Sequence, residues 1–512
     1  MHSPAPVEGG PTVSRMPHAA GLGGTGSQGC GGRESASPAR RDPPSKMGEV
    51  EIRYTCRMEH FDALIIGGGI TGAGTARDLA LRGLKVLLAE RDVPGSGTTS
   101  ASTHLIHGGL RYLLYDRPTT LSTCWDSGHI VRASRRLLRR LPVLWPVYRG
   151  QLRGFATVET LLESYDGLSS MKYGRPHLRL SAQTVSRLVP GLKTEGLLGG
   201  LVFDEWWVPA VRLVEENLAS AHRAGAQVRL KTEVLSLWKE EGRVLGAVLR
   251  GPDGKEERVQ ADITVNAAGP WVGQIARMAG CEIPMRLRKG THLIYPGQWA
   301  SLTASRVPLG LLLEAVDRQR YVFIIPGDGR TLVGPTDLDG GQDPDKTAST
   351  AEEISYLQAS ARRYFSNIPE RFERAVCGAR PILGRGPEKL LSREFEILDH
   401  SRRDGIPGFV SAAGGKMSDF RLMGEDAGEA VRRLLGRGGP CRSHLEDLSG
   451  NPITEIPPHP RPRIPFFLRR APRLRELHAL AYLGAGLGLH LLKAARGQIR
   501  ESSYEDFERN YT

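Results

Sequence analysis

The first sustained apolar run of the chain begins at Phe61 and predicts a buried strand. "FDALII" leads into the glycine-rich "GGGITGAG". In the following "TARDLALRGLKVLLAERD", apolar residues recur at helical spacing and then form a second strand that ends at Glu90. The order of strand, glycine turn, helix and strand is typical of the first βαβ unit of a nucleotide-binding domain.

Two later segments repeat the change from a strand to small residues. "ADITVNAAGPWV" (261–272) and "GFVSAAGGKMSDFRLMGEDAGEAV" (408–431) each predict a strand followed by a turn or helix. Because small residues return this late, we expect a discontinuous nucleotide domain with a second domain inserted between its parts. The predicted fold is α/β: a Rossmann-like domain over 59–140, 201–280 and 375–435, an inserted α+β substrate domain over 141–200 and 281–374, and a short helical C-terminal tail over 436–512.

Other stretches carry weaker patterns. Residues 1–58 are rich in Gly, Pro, Ser and Ala, which cannot bury enough apolar surface, so we expect disorder there. "VRASRRLLRRL" (131–141) predicts an amphipathic helix with a solvated basic face. No run of about 18 apolar residues is free of charge, so we expect no membrane-spanning helix.

Composition indicates a folded, water-soluble protein with an anionic partner. Hydrophobic residues make up 40% of the chain and charged residues 24%, both near the average for globular proteins. The net charge of +13 favours a phosphorylated substrate, nucleic acid or an acidic membrane surface. Six scattered cysteines without a C-x-x-C pair argue against a metal cluster or a disulfide framework, so we expect a reducing, cytoplasmic location and no metal.

The glycine turn has the chemistry of a dinucleotide site. Gly67 allows the tight turn, Gly69 lets the backbone approach a pyrophosphate, and Gly72 lets helix and strand pack closely. The helix N-terminus offers unpaired N–H groups to the anion. Glu90 is placed to accept hydrogen bonds from a ribose diol. This fingerprint leaves FAD and NAD open, although the discontinuous layout is common in flavoproteins.

The segment after Glu90 predicts further cofactor contacts. "RDVPGSGTTSASTHLIHGGLRYL" offers hydroxyl groups, among them those of Thr98 and Ser102. The pair Gly108 and Gly109 lets the main chain lie against a flat ring, and Arg111 and Tyr112 follow at the edge of the site.

Seven motifs in order resemble those of the FAD-dependent glycerol-3-phosphate dehydrogenases, flavoproteins of the amino-acid-oxidase-like fold. They are "IIGGGITGAG", "STHLIHGGLRYL", "VNAAGPWV", "KGTHLIYP", "FIIPGDGRTLVGPTD", "GARPILG" and "GGKMSDFRL", within roughly residues 60–430. The resemblance implies FAD as cofactor and oxidation of the C2 hydroxyl of glycerol 3-phosphate to dihydroxyacetone phosphate. It also implies that the reduced flavin passes its electrons to a membrane quinone.

The resemblance also implies roles for individual residues. Arg380 faces the substrate with Arg111 and Tyr112, and His292 accepts the proton of the C2 hydroxyl, although a core histidine bonded to backbone is an alternative for that position. Lys416 lies at the flavin's pyrimidine edge. Further expected contacts are Thr336 and Asp337 to the substrate, and His107, Gly269, Gly414 and Gly415 to the cofactor.

The chain departs from the family pattern near the expected site. His104 stands where Lys is common, "GTTD" becomes "GPTD" with Pro335, and Pro209 and Ala210 replace an acidic pair. The final motif is "GGKMSDFR" in place of "GGKLTTYR". Another phosphorylated polyol, a 2-hydroxy acid or an amine therefore remains an alternative substrate. From a different class, a non-catalytic nucleic-acid-binding protein is the remote alternative suggested by the basic charge.

The tail combines basic and apolar residues. Six arginines precede an apolar stretch, with two phenylalanines among them: Arg461, Arg463, Phe466, Phe467, Arg469, Arg470, Arg473 and Arg475. One interpretation is a helical pair packed on the body; the other is a peripheral contact on the inner face of the cell membrane. Glycines at 484, 486 and 488 disfavour a helix there.

Overall fold

The computed structural model describes residues 59–297, 304, 306–384, 394–455, 461–462 and 472–512. The segment 1–58, for which disorder was predicted, lies outside the described residues, as do Arg463, Phe466, Phe467, Arg469 and Arg470 of the tail. Among the helices that are described, none has the length and apolar character needed to cross a membrane.

The first sheet draws its strands from three separate parts of the chain. Its order is β17-β18-β10-β1-β2-β7, with parallel pairing from β18 to β7 and a β8–β9 hairpin attached to β10. The strands are β1 (His60–Ile66), β2 (Val86–Ala89), β7 (Gln227–Arg229), β8 (Glu233–Glu240), β9 (Arg243–Arg250), β10 (Glu256–Asn266), β17 (Phe395–Asp399) and β18 (Phe409–Gly414). Strands β1 and β2 are almost wholly apolar and buried, as expected for parallel strands whose two faces are both covered by helices.

The second sheet is mainly antiparallel and follows the order β15-β11-β14-β13-β12-β4-β6-β3. Strand β16 pairs along the other edge of β11, and β5 pairs with β6. The strands are β3 (Leu105–Ile106), β4 (Arg139–Tyr148), β5 (Leu178–Ser181), β6 (Leu197–Trp207), β11 (Met285–Pro296), β12 (Gly310–Glu314), β13 (Tyr321–Gly327), β14 (Arg330–Gly334), β15 (Leu338–Asp339) and β16 (Arg374–Leu383).

Helices cover both sheets and bury their apolar stripes against them. On the first sheet, α1, α5 and α9 pack on one face and α6 on the other, and α4, α7 and α11 share a core with the second sheet. The helices are α1 (Ile70–Leu81), α2 (Arg117–Ala133), α3 (Phe155–Ser169), α4 (Ala182–Leu188), α5 (Ala210–Arg223), α6 (Val272–Ala279), α7 (Ala351–Arg362), α8 (His400–Arg403), α9 (Phe420–Leu435), α10 (Pro472–Ala495) and α11 (Tyr504–Tyr511).

The predicted α/β fold with a helical tail is confirmed. The two later segments form β10 and β18, which both lie in the sheet begun by β1, as the repeated pattern indicated. The domain bounds themselves stay a prediction. One of them, at residue 201, falls inside β6, which lies in the second sheet over its whole length.

The helix predicted over 131–141 is wrong. Helix α2 ends at Ala133, and β4 begins at Arg139. Pro142 and Pro146 follow within the strand, and proline in a helix interior removes a hydrogen bond and clashes with the preceding turn. Leu138 and Leu141 are buried in the protein core and do not form one stripe of a surface helix.

The tail contains a helix that packs on the protein through polar and apolar side chains and leaves a row of leucines exposed. Helix α10 packs on α3, where Gly486 permits a close approach, since a Cβ there would lie 1.9 Å from the Ser164 hydroxyl. Arg475, one of the six arginines of the tail, is buried and lies 2.9 Å from Asp116. The opposite side carries leucines that are 44–61% exposed: Leu474, Leu477, Leu480, Leu487, Leu489, Leu491 and Leu492.

Candidate active site

A cleft opens at the carboxyl ends of the parallel strands of the first sheet. Its wall includes the residues that follow β1, β2, β10 and β18, the usual position of a ligand in an open α/β sheet. Nine residues expected to contact a cofactor lie along it: Gly67, Gly69, Glu90, Thr98, Ser102, Gly269, Gly414, Gly415 and Lys416.

The turn between β1 and α1 has the geometry of a phosphate cradle. Gly67 adopts φ +108°, which favours glycine. Gly72 faces this turn, and a Cβ at position 72 would lie 1.9 Å from the Gly67 carbonyl oxygen. Gly69 is the N-cap residue of α1, and the nearest atom to a Cβ there would be the Thr99 hydroxyl oxygen, at 3.8 Å. The N-terminus of α1 can therefore receive an anion.

Glu90 follows β2 and fixes the turn from the other side. One carboxylate oxygen accepts from the Gly68 N–H at 2.6 Å, and the other accepts from the Asp92 N–H at 2.7 Å. Each carboxylate oxygen has a second lone pair for a ligand hydroxyl. The buried indole Nε1 of Trp271, on the opposite wall, is without a hydrogen-bond partner among the described residues and is available to a polar group in the cleft.

The hydroxyl-rich loop joins the two sheets at the cleft. Thr98 donates a hydrogen bond of 2.5 Å to the Ala379 carbonyl of β16, directly before Arg380. Gly378 approaches the same loop so closely that a Cβ there would lie 2.6 Å from Ala101. The loop thus fixes the strand that carries Arg380 relative to the cleft.

The segment containing the glycine pair lies beneath the edge of the site and outside the cleft wall. The His107 N–H donates to the Ser418 hydroxyl at 2.9 Å, which ties this backbone to the loop of Lys416. Burial, together with the positive charges of Lys416 and Lys172, lowers the pKa of His107 to about 3, so this imidazole is neutral. Gly109 adopts φ +78° and begins a 3₁₀ helix over Leu110–Leu114.

Lys416 ends the turn after β18 and stays charged. Burial lowers its pKa, but the Asp419 carboxylate at 2.6 Å and the Tyr112 ring raise it more, so the pKa lies above its ordinary value. The ammonium lies 5.4 Å from the centre of the Tyr112 ring. Lys416 and Tyr112, expected near the cofactor and the substrate, are therefore brought together.

Four arginines converge on Asp337. Arg288 Nε and Arg380 Nη1 donate to its Oδ1 at 3.0 and 3.1 Å. Its Oδ2 lies 2.8 Å from Arg320 Nη1 and 3.9 Å from Arg111 Nη1. Arg288 and Asp337 are buried, whereas the side chain of Arg111 is 65% exposed. Asp337 is therefore a shared partner of these four arginines.

Two expected site residues make structural contacts. The Thr336 hydroxyl accepts from the Thr291 N–H at 2.8 Å and donates to Glu353 at 2.5 Å. Its carbonyl accepts from Arg380 Nη2 at 2.8 Å, so Thr336 contacts the site through its backbone. His292 is buried on β11, with its Nε2 lying 3.1 Å from the Thr103 hydroxyl. Its Nδ1 is without a hydrogen-bond partner among the described residues.

The environment of His292 favours its neutral form. Burial lowers its pKa well below the ordinary value, and the positive charge of Arg380 acts in the same direction. A neutral imidazole has a free lone pair and can accept a proton. Its Nδ1 is shielded from solvent, however, and His292 is not among the residues that line the cleft, so the expected base and the core histidine both stay open.

Two of the departures from the family pattern, at His104 and at Pro209 and Ala210, contact each other. His104 adopts φ +56°, and its Nδ1 accepts from the Ala210 N–H at 3.3 Å, at the start of α5. Burial lowers the pKa of His104, so the ring is neutral. A neutral histidine cap against Pro209 and Ala210 thus occupies the place where a lysine and two acidic residues were expected.

Sequence reasoning missed Arg288, Arg320, Lys172 and Glu205. Arg288 had a signal, because a strand presents every second residue on one face and Arg288 shares that face with Gly290 and His292. Lys172 and Glu205 lie on a 3₁₀ turn and on β6, far apart in sequence, and contact each other beneath Gly108. The pattern of either segment alone contains no sign of this contact.

The chain is similar to known proteins over most of its length. Residues 62–422 match the family model described as FAD dependent oxidoreductase. A glycerol-3-phosphate dehydrogenase from Synechocystis sp. is 34% identical over 76% of this chain and 73% of its own. A D-erythritol 1-phosphate dehydrogenase from Brucella abortus is 31% identical over 77% of this chain and 78% of its own. The structure of a Bacillus halodurans glycerol-3-phosphate dehydrogenase complexed with FAD matches with a TM-score of 0.59, at 26% identity over 75% of this chain and 67% of that one.

Proposed function

Because the chain belongs to the FAD-dependent oxidoreductases, in the family of the glycerol-3-phosphate dehydrogenases, we propose that it oxidises sn-glycerol 3-phosphate to dihydroxyacetone phosphate. The resemblance indicated by the seven motifs is confirmed. FAD is the cofactor, and the glycine cradle at α1, Glu90 and the free indole N–H of Trp271 fit its phosphate, ribose and polar groups. When bound, FAD supplies the acceptor for the hydride that leaves C2 of the substrate.

The convergence of Arg111, Arg288, Arg320 and Arg380 on Asp337 carries this proposal. A carboxylate substrate brings one negative charge, whereas a phosphomonoester brings close to two at neutral pH. A guanidinium group binds phosphate oxygens in pairs, and four such groups gathered at one place suit the larger anion. The site therefore favours a phosphorylated polyol over a 2-hydroxy acid or an amine.

Each group then has a defined task. Arg380 and the exposed Arg111 bind phosphate oxygens, with Tyr112 and Asp337 beside them. Lys416 keeps its positive charge and stabilises negative charge that develops on the reduced cofactor. His292, neutral and with its Nδ1 free, accepts the proton of the C2 hydroxyl.

Anaerobic mixing of the purified holoenzyme with sn-glycerol 3-phosphate tests the proposal. We expect rapid loss of the visible flavin absorption band, with no bleaching by glycine or by lactate. Arg380→Met is expected to slow bleaching and raise the substrate concentration needed for half the maximal rate. Bleaching by an amine or a hydroxy acid alone would refute the proposal.

A longer phosphorylated polyol is the second candidate. The similarity to the D-erythritol 1-phosphate dehydrogenase favours it. Comparing D-erythritol 1-phosphate with sn-glycerol 3-phosphate in the same bleaching assay decides between them. The substrate with the larger ratio of maximal rate to half-saturating concentration is the physiological candidate.

We also propose that the electrons pass to a quinone and that α10 contacts the membrane peripherally. Polar and apolar side chains hold the helix on the body: Arg475 pairs with Asp116, Lys493 lies 3.1 Å from Glu163, and Leu483 packs on the core. Leu477, Leu480 and Leu487 face outward. An exposed row of leucines beside basic residues suits insertion into the lipid interface.

Vesicle flotation tests the membrane contact. Leu477→Ser with Leu480→Ser is expected to reduce binding to vesicles that contain anionic lipid, without affecting flavin bleaching. Leu445→Ser, at another exposed leucine, is the matched control. Point variants are preferable to removal of residues 461–512, because Phe507 of α11 is fully buried in the core of the second sheet. Equal flotation of the double variant and the wild type would contradict the proposal.

A further inference from the structure

A buried ion pair lies beneath the glycine pair of the site. Lys172 Nζ lies 2.7 Å from Glu205 Oε2, and both side chains are removed from solvent. Lys172 also donates to the Asp204 carbonyl, and the Tyr165 hydroxyl donates to Glu205 Oε1 at 3.0 Å. The polar groups of the cluster satisfy one another inside the protein.

The cluster holds the backbone of Gly108. Glu205 Oε2 accepts from the Gly108 N–H at 3.1 Å. The packing leaves no space at this position, since a Cβ on residue 108 would lie 2.1 Å from the Tyr165 hydroxyl and 2.5 Å from Cys124 Sγ. Gly108 is therefore fixed by a hydrogen bond and by close contact at the same point.

The fixed backbone leads directly to the site. His107, one residue earlier, donates to the Ser418 hydroxyl in the loop of Lys416. Gly109, one residue later, begins the 3₁₀ helix that carries Arg111 and Tyr112. Any movement of Gly108 would therefore be passed to Arg111 and Tyr112 within one turn.

Stability alone gives no reason for this pair. Burying two charges costs desolvation energy, and apolar residues of similar volume are often as stable or more stable. We propose that Glu205 and Lys172 are positioning residues: Glu205 holds the Gly108 N–H so that Arg111 and Tyr112 stand at the correct distance from FAD, and Lys172 holds Glu205. This inference rests on the proposed function, because it assigns Arg111 and Tyr112 to the substrate.

Two charge-neutral double variants isolate the hydrogen bond to Gly108. Glu205→Gln with Lys172→Met removes both charges but keeps an oxygen acceptor for the Gly108 N–H. Glu205→Leu with Lys172→Met removes the acceptor as well. We expect the leucine variant to retain FAD but to lose about 10²-fold in the rate of flavin reduction by sn-glycerol 3-phosphate, the effect of a misplacement of about 1 Å. The glutamine variant should stay within about tenfold of the wild type.

Asp78→Asn is the control for a simple loss of stability. It breaks another buried ion pair, with Arg82 at 2.6 Å, and is expected to unfold at lower urea concentration with an unchanged flavin-reduction rate. Gly108→Ala is an independent test, because its Cβ must displace the same backbone, and it should show the same rate loss as the leucine variant.

The visible circular dichroism of bound FAD gives a readout without substrate. It should change in the leucine variant and in Gly108→Ala, and remain as in the wild type in the glutamine variant. This readout separates the two proposals, because it holds even if sn-glycerol 3-phosphate fails to reduce the wild-type flavin. Equal rates and equal spectra for the two double variants would overturn the positioning role, as would a wild-type rate in Gly108→Ala.

Discussion

Replacement of Asp337 by Asn should weaken the fold and strengthen anion binding at the same time. The carboxylate is the common partner of Arg288, Arg320 and Arg380 within 3.1 Å. The substitution keeps the volume of the side chain but removes its charge. The arginines would then face one another without the anion between them, and the site would be one unit more positive.

The structure sets the size of both effects. Arg288 and Asp337 form the buried part of the cluster, and removing one partner of a buried pair costs about 3–5 kcal/mol. Arg111 is mostly exposed, so its pair with Asp337 adds little. For a bound phosphate, one extra unit of charge about 4 Å away is worth up to about 4 kcal/mol at an effective dielectric constant of about 20. We therefore expect phosphate affinity to rise, with about 10³-fold as the upper bound.

Urea unfolding of the holoenzyme, with and without inorganic phosphate, measures the loss of folding stability. Phosphate titration by calorimetry measures the gain in phosphate affinity. Asp337→Asn should unfold at lower urea concentration and recover more stability from phosphate than the wild type does. Asp339→Asn is the matched control, since Asp339 pairs with Arg286 at the exposed edge of the same sheet. Weaker phosphate binding by Asp337→Asn, or unfolding at the wild-type midpoint, would refute the reasoning.

Three further predictions follow from the site and its surroundings. Gly72→Ala should abolish FAD retention after gel filtration, because its Cβ would lie 1.9 Å from the Gly67 carbonyl oxygen; retention at wild-type stoichiometry would contradict the cradle. Lys416→Met should lower the flavin midpoint potential and slow its reduction by about 10²–10³-fold, as expected for the loss of one electrostatic stabiliser; an unchanged potential in a dye-equilibration titration would contradict this role. Burial lowers the pKa of His129 to about 2 from an ordinary 6.5. Below about pH 6.5 the imidazole is therefore protonated in the unfolded state but not in the folded state, so the free energy of unfolding decreases as the pH falls. The loss should be about 1.4 kcal/mol per pH unit for this residue, and His129→Asn should reduce the slope between pH 6 and pH 5 in urea titrations.

Local patterns were sufficient for the elements that surround the cofactor. The run from Phe61 to Glu90 contains the strand, the glycine turn, the helix and the second strand within about 30 residues, so no distant contact is needed to recognise it. The motif around Lys416 likewise marked a residue of the cleft wall, directly after β18.

Local patterns failed where burial depends on distant segments. The basic and leucine-rich stretch at 131–141 has helical spacing, but Leu138 and Leu141 are buried in two different clusters of the core, and the two prolines that follow lie within β4. Arginine is usually a surface residue, but Arg475 is buried against Asp116, which lies more than 350 residues earlier in the chain. No periodicity within either segment contains that information.

The sequence by itself determined the nucleotide-binding unit, the α/β class and the family, and it predicted Arg111, Arg380 and Lys416 as site residues, because each depends on short, ordered motifs. Only the tertiary structure decided that Arg288 and Arg320 join Arg111 and Arg380 around Asp337, that Lys172 pairs with Glu205 beneath Gly108, and that the leucines of α10 face outward. The physical reason is the same in each case. Charge pairing and exposure are set by distances between residues that lie far apart in the chain, and those distances exist only after the sheets have packed.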